Sequence, residues 1–272
     1  MSLEQESLDK AAAFRREHDL GSAPIGDIIT LAETALGVDV AVVSSPEEEH
    51  GLTFTDPVYN DTFILVAKTH HPMRQRSSIA HEMAHVIFAD WQTTSHKPLN
   101  SERAPSEVRA DAFARHLLAP LSGVKAFLKQ HESFDWQQLS EVSQYFLVSP
   151  DLALIQVRGA KIITPAKYEE MKQQRSSADL ARQFGWEAQY NQLSVASATE
   201  RPPQQLLASA IVGYRHGLIT AQELALISGE SVDTVVKKFE LLPRETYAPV
   251  DTTHLRFNGV SDQELDLLFT ED

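Results

Sequence analysis

The chain has 272 residues, a formal net charge of −14 and no cysteine. Without cysteine it has neither disulfides nor thiolate metal ligands, which fits a cytoplasmic protein, and its acidity disfavours direct nucleic-acid binding because no basic stripe is evident. The polar, acidic first ten residues argue against a signal peptide, and no apolar run is long enough to cross a membrane.

Helical spacing, apolar runs and turn signals predict two helices and then three strands in the amino-terminal part. The helices are expected over residues 3–18 and 25–36, and the strands over 38–43, 52–54 and 62–67. We expect a small sheet that packs beside the helix that follows.

The next segment, His81-Glu82-Met83-Ala84-His85, carries the strongest chemical signal. Two histidines four residues apart lie on one face of a helix, so both imidazoles can bind one metal ion. Glu82 lies beside them, where it can take a proton from a metal-bound water. We predict that this helix begins after a cap at Ser77 or Ser78. Its apolar neighbours indicate a buried helix, in which a metal would offset the cost of burying these polar groups.

A peptidase zinc needs a third protein ligand and one open position for water. The predicted helix over 106–118 offers Glu107 as the best candidate, and Asp111 lies on the same face one turn later. Asp111 is placed to hydrogen-bond the outer nitrogen of a ligand histidine, and such carboxylates fix the orientation of the ring. Alternatively, Glu107 and Asp111 pair with nearby arginines on a solvent-exposed face of this helix and bind no metal. The other candidates for the third ligand are Asp90, Glu102, Asp111 and His116.

Several blocks, taken in order, resemble the ImmA/IrrE-type metallopeptidases. They are Pro24-Ile25-Gly26-Asp27-Ile28, Thr62 to Val66, Arg76 with Ile79 to His85, Glu107-x-x-Ala110-Asp111-x-Phe113-Ala114 and Leu117 to Pro120. The likeness covers about residues 8–160. It implies that His81, His85 and Glu107 are the metal ligands and that Glu82 is the catalytic base. The family commonly has Asn where this chain has Asp111. Its members typically cleave or inactivate helix-turn-helix repressors, which implies a repressor-type substrate here.

The predicted reaction follows from the ligand set, which favours zinc over manganese or iron. Zinc lowers the pKa of its bound water toward ~7, and Glu82 accepts the proton as that water attacks a peptide carbonyl. Glu82 then returns the proton to the leaving amine. A group that stabilises the oxyanion, usually His, Tyr or Arg, is also expected. Three candidates for it are His70, His71 and His116.

The remainder of the chain is predicted to be helical. Residues 131–164 have a helix-turn-helix outline, with a second helix that begins at Ser149–Pro150. We favour a packing role for it over DNA reading, because Arg158 is its only basic residue. Further helices are expected over 177–193, from Pro202, over 221–227 and over 232–241, while the acidic and apolar tail over 261–272 either docks as a short helix or stays loose.

The predicted fold class is therefore α+β, with a zincin-like helical core and a small β-sheet. We divide the chain into a zinc metallopeptidase domain (1–130), a helix-turn-helix-like segment packed on it (131–164) and a helical regulatory or protein-binding domain (165–272). The favoured function is a zinc-dependent endopeptidase that acts on a specific cytoplasmic protein, a helix-turn-helix transcriptional repressor. The alternatives are a non-catalytic metal-binding regulator that acts by protein contact and a DNA-binding regulator with a structural metal. Glu82 favours the peptidase, since a purely structural site needs no base.

Overall fold

A computed structural model describes residues 2–45, 51–90, 104–131, 133–172 and 175–239. Within these ranges the chain is α+β, with one small mixed sheet surrounded by helices. The predicted α+β class and the small β-sheet are confirmed. None of the helices described has the length and hydropathy needed to cross a membrane. The described residues form two compact units, one that reaches Ala208 and includes Ile227–Gly229, and one formed by Ser209–Leu226 and the residues from Glu230 onward.

The first unit contains the sheet and most of the helices. Its strands are β1 (Asp39–Val43), β2 (Gly51–Thr55) and β3 (Thr62–Ala67). Its helices are α1 (Leu3–Glu17), α2 (Ile28–Leu36), α3 (Pro72–Phe88), α4 (Pro105–Leu118), α5 (Leu121–Leu128), α6 (Trp136–Phe146), α7 (Pro150–Gly159), α8 (Pro165–Met171), α9 (Ser177–Gln183) and α10 (Glu187–Ser197). Helix α11 (Gln204–Arg215) begins in this unit and ends in the second. The predicted domain boundaries at residues 130 and 164 stay a prediction.

The sheet has the order β1-β3-β2, with β1 parallel and β2 antiparallel to β3. The outer edge of β1 is covered, because the backbones of Val42 and Arg201 bond each other at 2.9 and 3.0 Å. Strand β2 pairs only with β3 among the described residues, and it lies against α3. Among the described residues, β2 is therefore the unpaired edge of the sheet, and it lies next to α3, the helix that carries His81 and His85.

Helices α3 and α4 pack closely across the core of the unit. Small buried residues on both helices, Ala84 and Ala110 among them, allow this approach. The ring of Phe113 meets those of Phe14 in α1 and Phe88 in α3 at centroid distances of 6.3 and 6.0 Å. This packing brings the first turn of α4 beside the middle of α3.

Arg76, one of the residues that carry the family resemblance, is a structural residue. Its guanidinium is buried and donates to the carbonyl oxygens of Gly26 at 2.7 Å, Leu147 at 3.1 Å and Ile25. Burial lowers its pKa to about 10. Arg76 thus joins α3 to the loop before α2 and to the turn between α6 and α7.

The predicted start of α3, the helix that carries His81 and His85, was wrong. Helix α3 begins at Pro72, with His71 as its cap residue, so Ser77 and Ser78 lie inside the helix. Proline is favoured in the first helical turn because it has no N–H to satisfy and its φ is already helical. The serine cap signal was therefore outweighed by a proline five residues earlier.

The predicted helix over 177–193 was also wrong, because the chain breaks there into α9 and α10. Gly185 between them has a φ of +81°, which glycine adopts without strain. The next residue, Trp186, is buried, and its indole N–H donates to Ser140 Oγ at 2.9 Å. The helix is therefore interrupted at Gly185, because Trp186 packs against α6 there.

The second unit holds the end of α11, most of α12 (Ala221–Ser228) and α13 (Val232–Phe239). Thr220 and Ser231 accept backbone N–H bonds at the starts of α12 and α13. Leu224 and Val235 are fully buried. The predicted tail over 261–272 lies outside the described residues.

Candidate metal centre

Three side chains meet where α3 and α4 pack together. His81, His85 and Glu107 each offer one ligand atom, and these atoms all lie within 4.8 Å of one another. The two Nε2 atoms are 3.1 Å apart, and the Glu107 oxygens lie 3.3 Å from His81 Nε2 and 3.4 Å from His85 Nε2. Ligands around a tetrahedral zinc with bonds of ordinary length are separated by about 3.3 Å. The three donors are therefore spaced as ligands of a single ion.

Local structure explains why these residues meet. His81 and His85 are four residues apart in a continuous helix and so occupy one face. Glu107 lies in the first turn of α4, which the packing of α3 on α4 brings beside that face.

The outer nitrogens of both imidazoles are held by carboxylates. His81 Nδ1 donates to Asp111 Oδ1 at 2.9 Å, and His85 Nδ1 donates to Asp90 Oδ1 at 2.6 Å. An ionised carboxylate only accepts hydrogen bonds, so each Nδ1 carries a proton and each neutral ring directs a lone pair from Nε2. Two such lone pairs and the Glu107 carboxylate then converge, and a cation is what satisfies them. This donor set fits a divalent metal.

The electrostatics of the metal-free cluster point to the same need for positive charge. Burial disfavours protonation of His81, but its hydrogen bonds to Asp111 and Glu107 outweigh burial and raise its pKa to about 9. The pKa of His85 is also raised, because bonds to Glu107 and Asp90 outweigh the effect of burial. Hydrogen bonds from both histidines hold the pKa of Glu107 well below its usual range. In the metal-free protein these shifts favour protonation of His81 and His85. The protons then supply positive charge where a cation would otherwise supply it.

Glu82 lies apart from the ligand group and is held from the sheet. It is 7% exposed, and its Oε2 accepts a hydrogen bond of 2.7 Å from the hydroxyl of Thr53 in β2. Burial raises the pKa of this carboxyl group. Gly51, at the start of β2, makes room for it, since a β-carbon on residue 51 would lie 2.6 Å from Glu82 Oε1. Neither Thr53 nor Gly51 was singled out from the sequence, because no local pattern shows which strand faces Glu82.

A cavity of about 310 Å³ gives access to the cluster. Strand β2 and helices α3 and α4 all contribute to its wall, and the lining includes one basic side chain. The lining residues are Gly51, Arg74, Ser77, Ser78, His81, Glu82, Glu107 and Asp111. Glu82, His81 and Glu107 therefore face the same cavity.

Residues 34–157 match the family model of Peptidase_M78, described as the IrrE N-terminal-like domain. This segment, slightly less than half of the chain, is similar to that domain of the M78 peptidases. The match confirms the resemblance to ImmA/IrrE proteins seen in the sequence. It contains every residue of the cluster, whereas α1 and all helices after α7 lie outside it. No curated protein matches the chain significantly.

In the structure, the other described candidates for the third ligand have different partners. Asp90 and Asp111 bond the outer nitrogens of the histidines. His116 is buried between α1 and α7, with its Nε2 2.8 Å from Glu4 Oε1 and its Nδ1 3.3 Å from Gln156 Nε2. Glu102 lies outside the described residues.

Two of the candidates for oxyanion stabilisation also lie outside the cavity lining. His71 caps α3, and the backbone carbonyl of His70 accepts bonds from Tyr190 and Ser194. His116, the third, belongs to the α1–α4 contact. The basic side chain that does line the cavity of the M78 domain is Arg74, which sequence reasoning passed over because its position in α3 depends on the true start of that helix.

Proposed function

We propose that the chain is a zinc-dependent endopeptidase that hydrolyses a specific protein through Glu82-assisted attack of water. One observation carries this proposal: a buried carboxylate, Glu82, is held separately beside three ligand-spaced donors in an M78 peptidase domain. A structural metal site would need the three donors but no such carboxylate.

His81, His85 and Glu107 would hold the ion, and Asp111 and Asp90 would fix the two rings. Nitrogen and oxygen donors without sulfur suit zinc. When bound, such an ion supplies Lewis-acid activation of a water molecule and of the peptide carbonyl.

Glu82 would move the proton. Thr53 holds its Oε2, while Oε1 lies at the wall of the cavity beside Gly51. Glu82 takes a proton from the attacking water and gives it to the departing amine as the C–N bond breaks. Burial raises the pKa of Glu82, and a carboxyl with a raised pKa is better matched to both transfers near neutral pH.

Strand β2 offers a place for the substrate backbone. It is the edge strand beside α3 within the described residues, and its Gly51 lines the cavity. An extended peptide paired with this edge would pass next to Glu82 and the ligands, as in strand addition. We therefore propose a zincin-like arrangement, in which the edge strand β2 lies beside α3, the helix that carries the two histidines.

The substrate class rests on the family resemblance and on charge. A helix-turn-helix repressor must neutralise DNA phosphates and so carries a basic surface, which suits a chain with a net charge of −14. The helix-turn-helix-like pair α6–α7 is assigned to packing. Leu152, Leu154 and Val157 of α7 are buried, and Gln156 donates to the carbonyl of Ala119 at 2.6 Å, so these residues of α7 are engaged in the core.

Metal removal tests the proposed function. Elemental mass spectrometry of the full-length protein should find about one zinc per chain, and the protein should cleave members of a quenched fluorescent peptide library. A chelator should abolish this cleavage, and added zinc should restore it. Absence of zinc after zinc has been supplied and the excess removed, or cleavage that a chelator leaves unchanged, would contradict the proposal.

Gly51→Ala should lower the rate constant of cleavage without loss of zinc. The new methyl group would need the space of Glu82 Oε1, and a misplacement of about 1 Å costs on the order of 10²-fold in rate. Gly26→Ala is the matched control, because a β-carbon at residue 26 meets nothing within 4 Å. Cleavage kinetics and zinc content would be measured for both variants. Equal rates for the two would refute this placement of Glu82.

A further inference from the structure

A guanidinium group connects three helices beside the ligand cluster. Arg109 in α4 donates through Nη2 to Asp90 Oδ2 at 2.6 Å, and the other oxygen of Asp90 accepts the 2.6 Å bond from His85 Nδ1. Its Nη1 donates to Glu6 Oε1 in α1 at 3.3 Å. Its guanidinium carbon lies 4.5 Å from the centre of the Phe88 ring. Arg109 therefore reaches a proposed metal ligand through one intervening carboxylate.

The turn at the end of α3 brings Asp90 within reach of His85. Ala89 has a φ of +54° and ends the helix, and the N–H of Asp90 then bonds the carbonyl of His85 at 3.2 Å. The chain thus turns back so that the carboxylate of Asp90 reaches a ring five residues earlier. Asp90 lies just after the helix end, and Arg109 bonds its second oxygen from α4.

We propose that Arg109 is a positioning residue for the metal site, acting on His85 through Asp90. The inference rests on the proposed function, because it concerns the same metal. A planar guanidinium orients a carboxylate through charge-assisted bonds in a way that a flexible ammonium does not. With one Asp90 oxygen held by Arg109, the other is directed at His85 Nδ1, and Nε2 is directed at the metal.

Arg109 also ties the ligands of the two helices together. It lies two residues after Glu107 in α4, yet it bonds the residue that orients the histidine of α3. The backbone carbonyl of Arg109 accepts a bond of 2.9 Å from Ser7 Oγ in α1. Helix α1 lies outside the matched M78 segment, and through Arg109 it becomes part of the support of the metal site.

The test compares Arg109→Gln with Arg115→Gln. Arg115 is also in α4 and bonds α1, with its Nη2 2.7 Å from Glu4 Oε2. Within the part of the chain that the structure describes, its side chain does not bond Asp90. Zinc affinity would be measured by competition with a chromogenic chelator, and thermal unfolding would be recorded for the metal-free proteins. We expect Arg109→Gln to weaken zinc binding about 10–100-fold, the range found for outer partners of metal ligands. Arg115→Gln should bind zinc as the wild type does.

A double variant separates positioning from general stabilisation. If Arg109 acts through Asp90, the loss of zinc affinity in Arg109→Gln should largely disappear when Asp90→Asn is already present. Losses that add in the double variant, an equal loss in Arg115→Gln, or wild-type affinity in Arg109→Gln would overturn the inference. If Arg109→Gln does not fold, Arg109→Lys gives the same test, since it keeps the charge but lacks the planar fork. A wild-type protein that binds no zinc would instead refute the proposed function itself.

Discussion

Glu82→Gln is expected to abolish peptide cleavage while zinc stays bound. The amide keeps the shape of the side chain but can no longer accept a proton from water, and general acid–base groups contribute about 10²–10⁴-fold to rate. Glu82 is not among the three ligand donors, so zinc content should stay at about one per chain. Single-turnover cleavage of a library peptide and elemental mass spectrometry on the same preparation measure the two quantities.

The control for this experiment is Glu141→Gln, which changes a half-buried glutamate in the same unit. Its carboxylate bonds Gln137 and lies near His131, away from the cavity, so we expect wild-type cleavage. Glu82→Gln with full cleavage activity would exclude the general-base role. Glu82→Gln that no longer cleaves, yet inactivates a bound partner as well as wild type does, would favour the non-catalytic regulator.

Those parts of the site that depend on local geometry were predictable from the sequence. The spacing of His81 and His85 places them on one face of any helix, wherever that helix begins, so the wrong start of α3 did not affect them. A bond from one of the two histidines to Asp111 was also anticipated, because Asp111 shares a helix face with Glu107, and the structure shows that the histidine is His81. Glu107 was the preferred third ligand from its helix alone, but four alternatives stayed open, because spacing cannot place α4 on α3, and the family resemblance pointed to the same residue.

Other parts depend on tertiary contacts that no local pattern encodes. Asp90 was considered only as a ligand, since its actual role follows from the left-handed turn at Ala89. His116 was a candidate for two roles, but it is engaged by Glu4 of α1, a partner more than a hundred residues away. The apolar spacing over 177–193 continues through Gly185, and only the burial of Trp186 shows why the helix stops.

Glu107→Ala is expected to remove most zinc binding. The variant leaves two histidine nitrogens 3.1 Å apart without the carboxylate that offsets the charge of the ion. We expect a loss of zinc affinity larger than the roughly 10–100-fold typical of outer partners, and zinc content well below one per chain after buffer exchange. Chelator competition and elemental mass spectrometry measure the affinity and the zinc content.

Asp111→Asn gives the matched comparison, because it changes a carboxylate on the same face of α4. Asn can still accept a bond from His81 Nδ1 through its amide oxygen, so zinc affinity should fall by less than in Glu107→Ala. This order of effects distinguishes a ligand from its support: Glu107 offers its oxygens to the ion, whereas Asp111 acts on the outer nitrogen of His81. The reverse order would make Asp111 the third ligand. Full zinc in both variants would assign that place to Asp90, Glu102 or His116, and only Asp90 of these contacts a histidine of the cluster among the described residues.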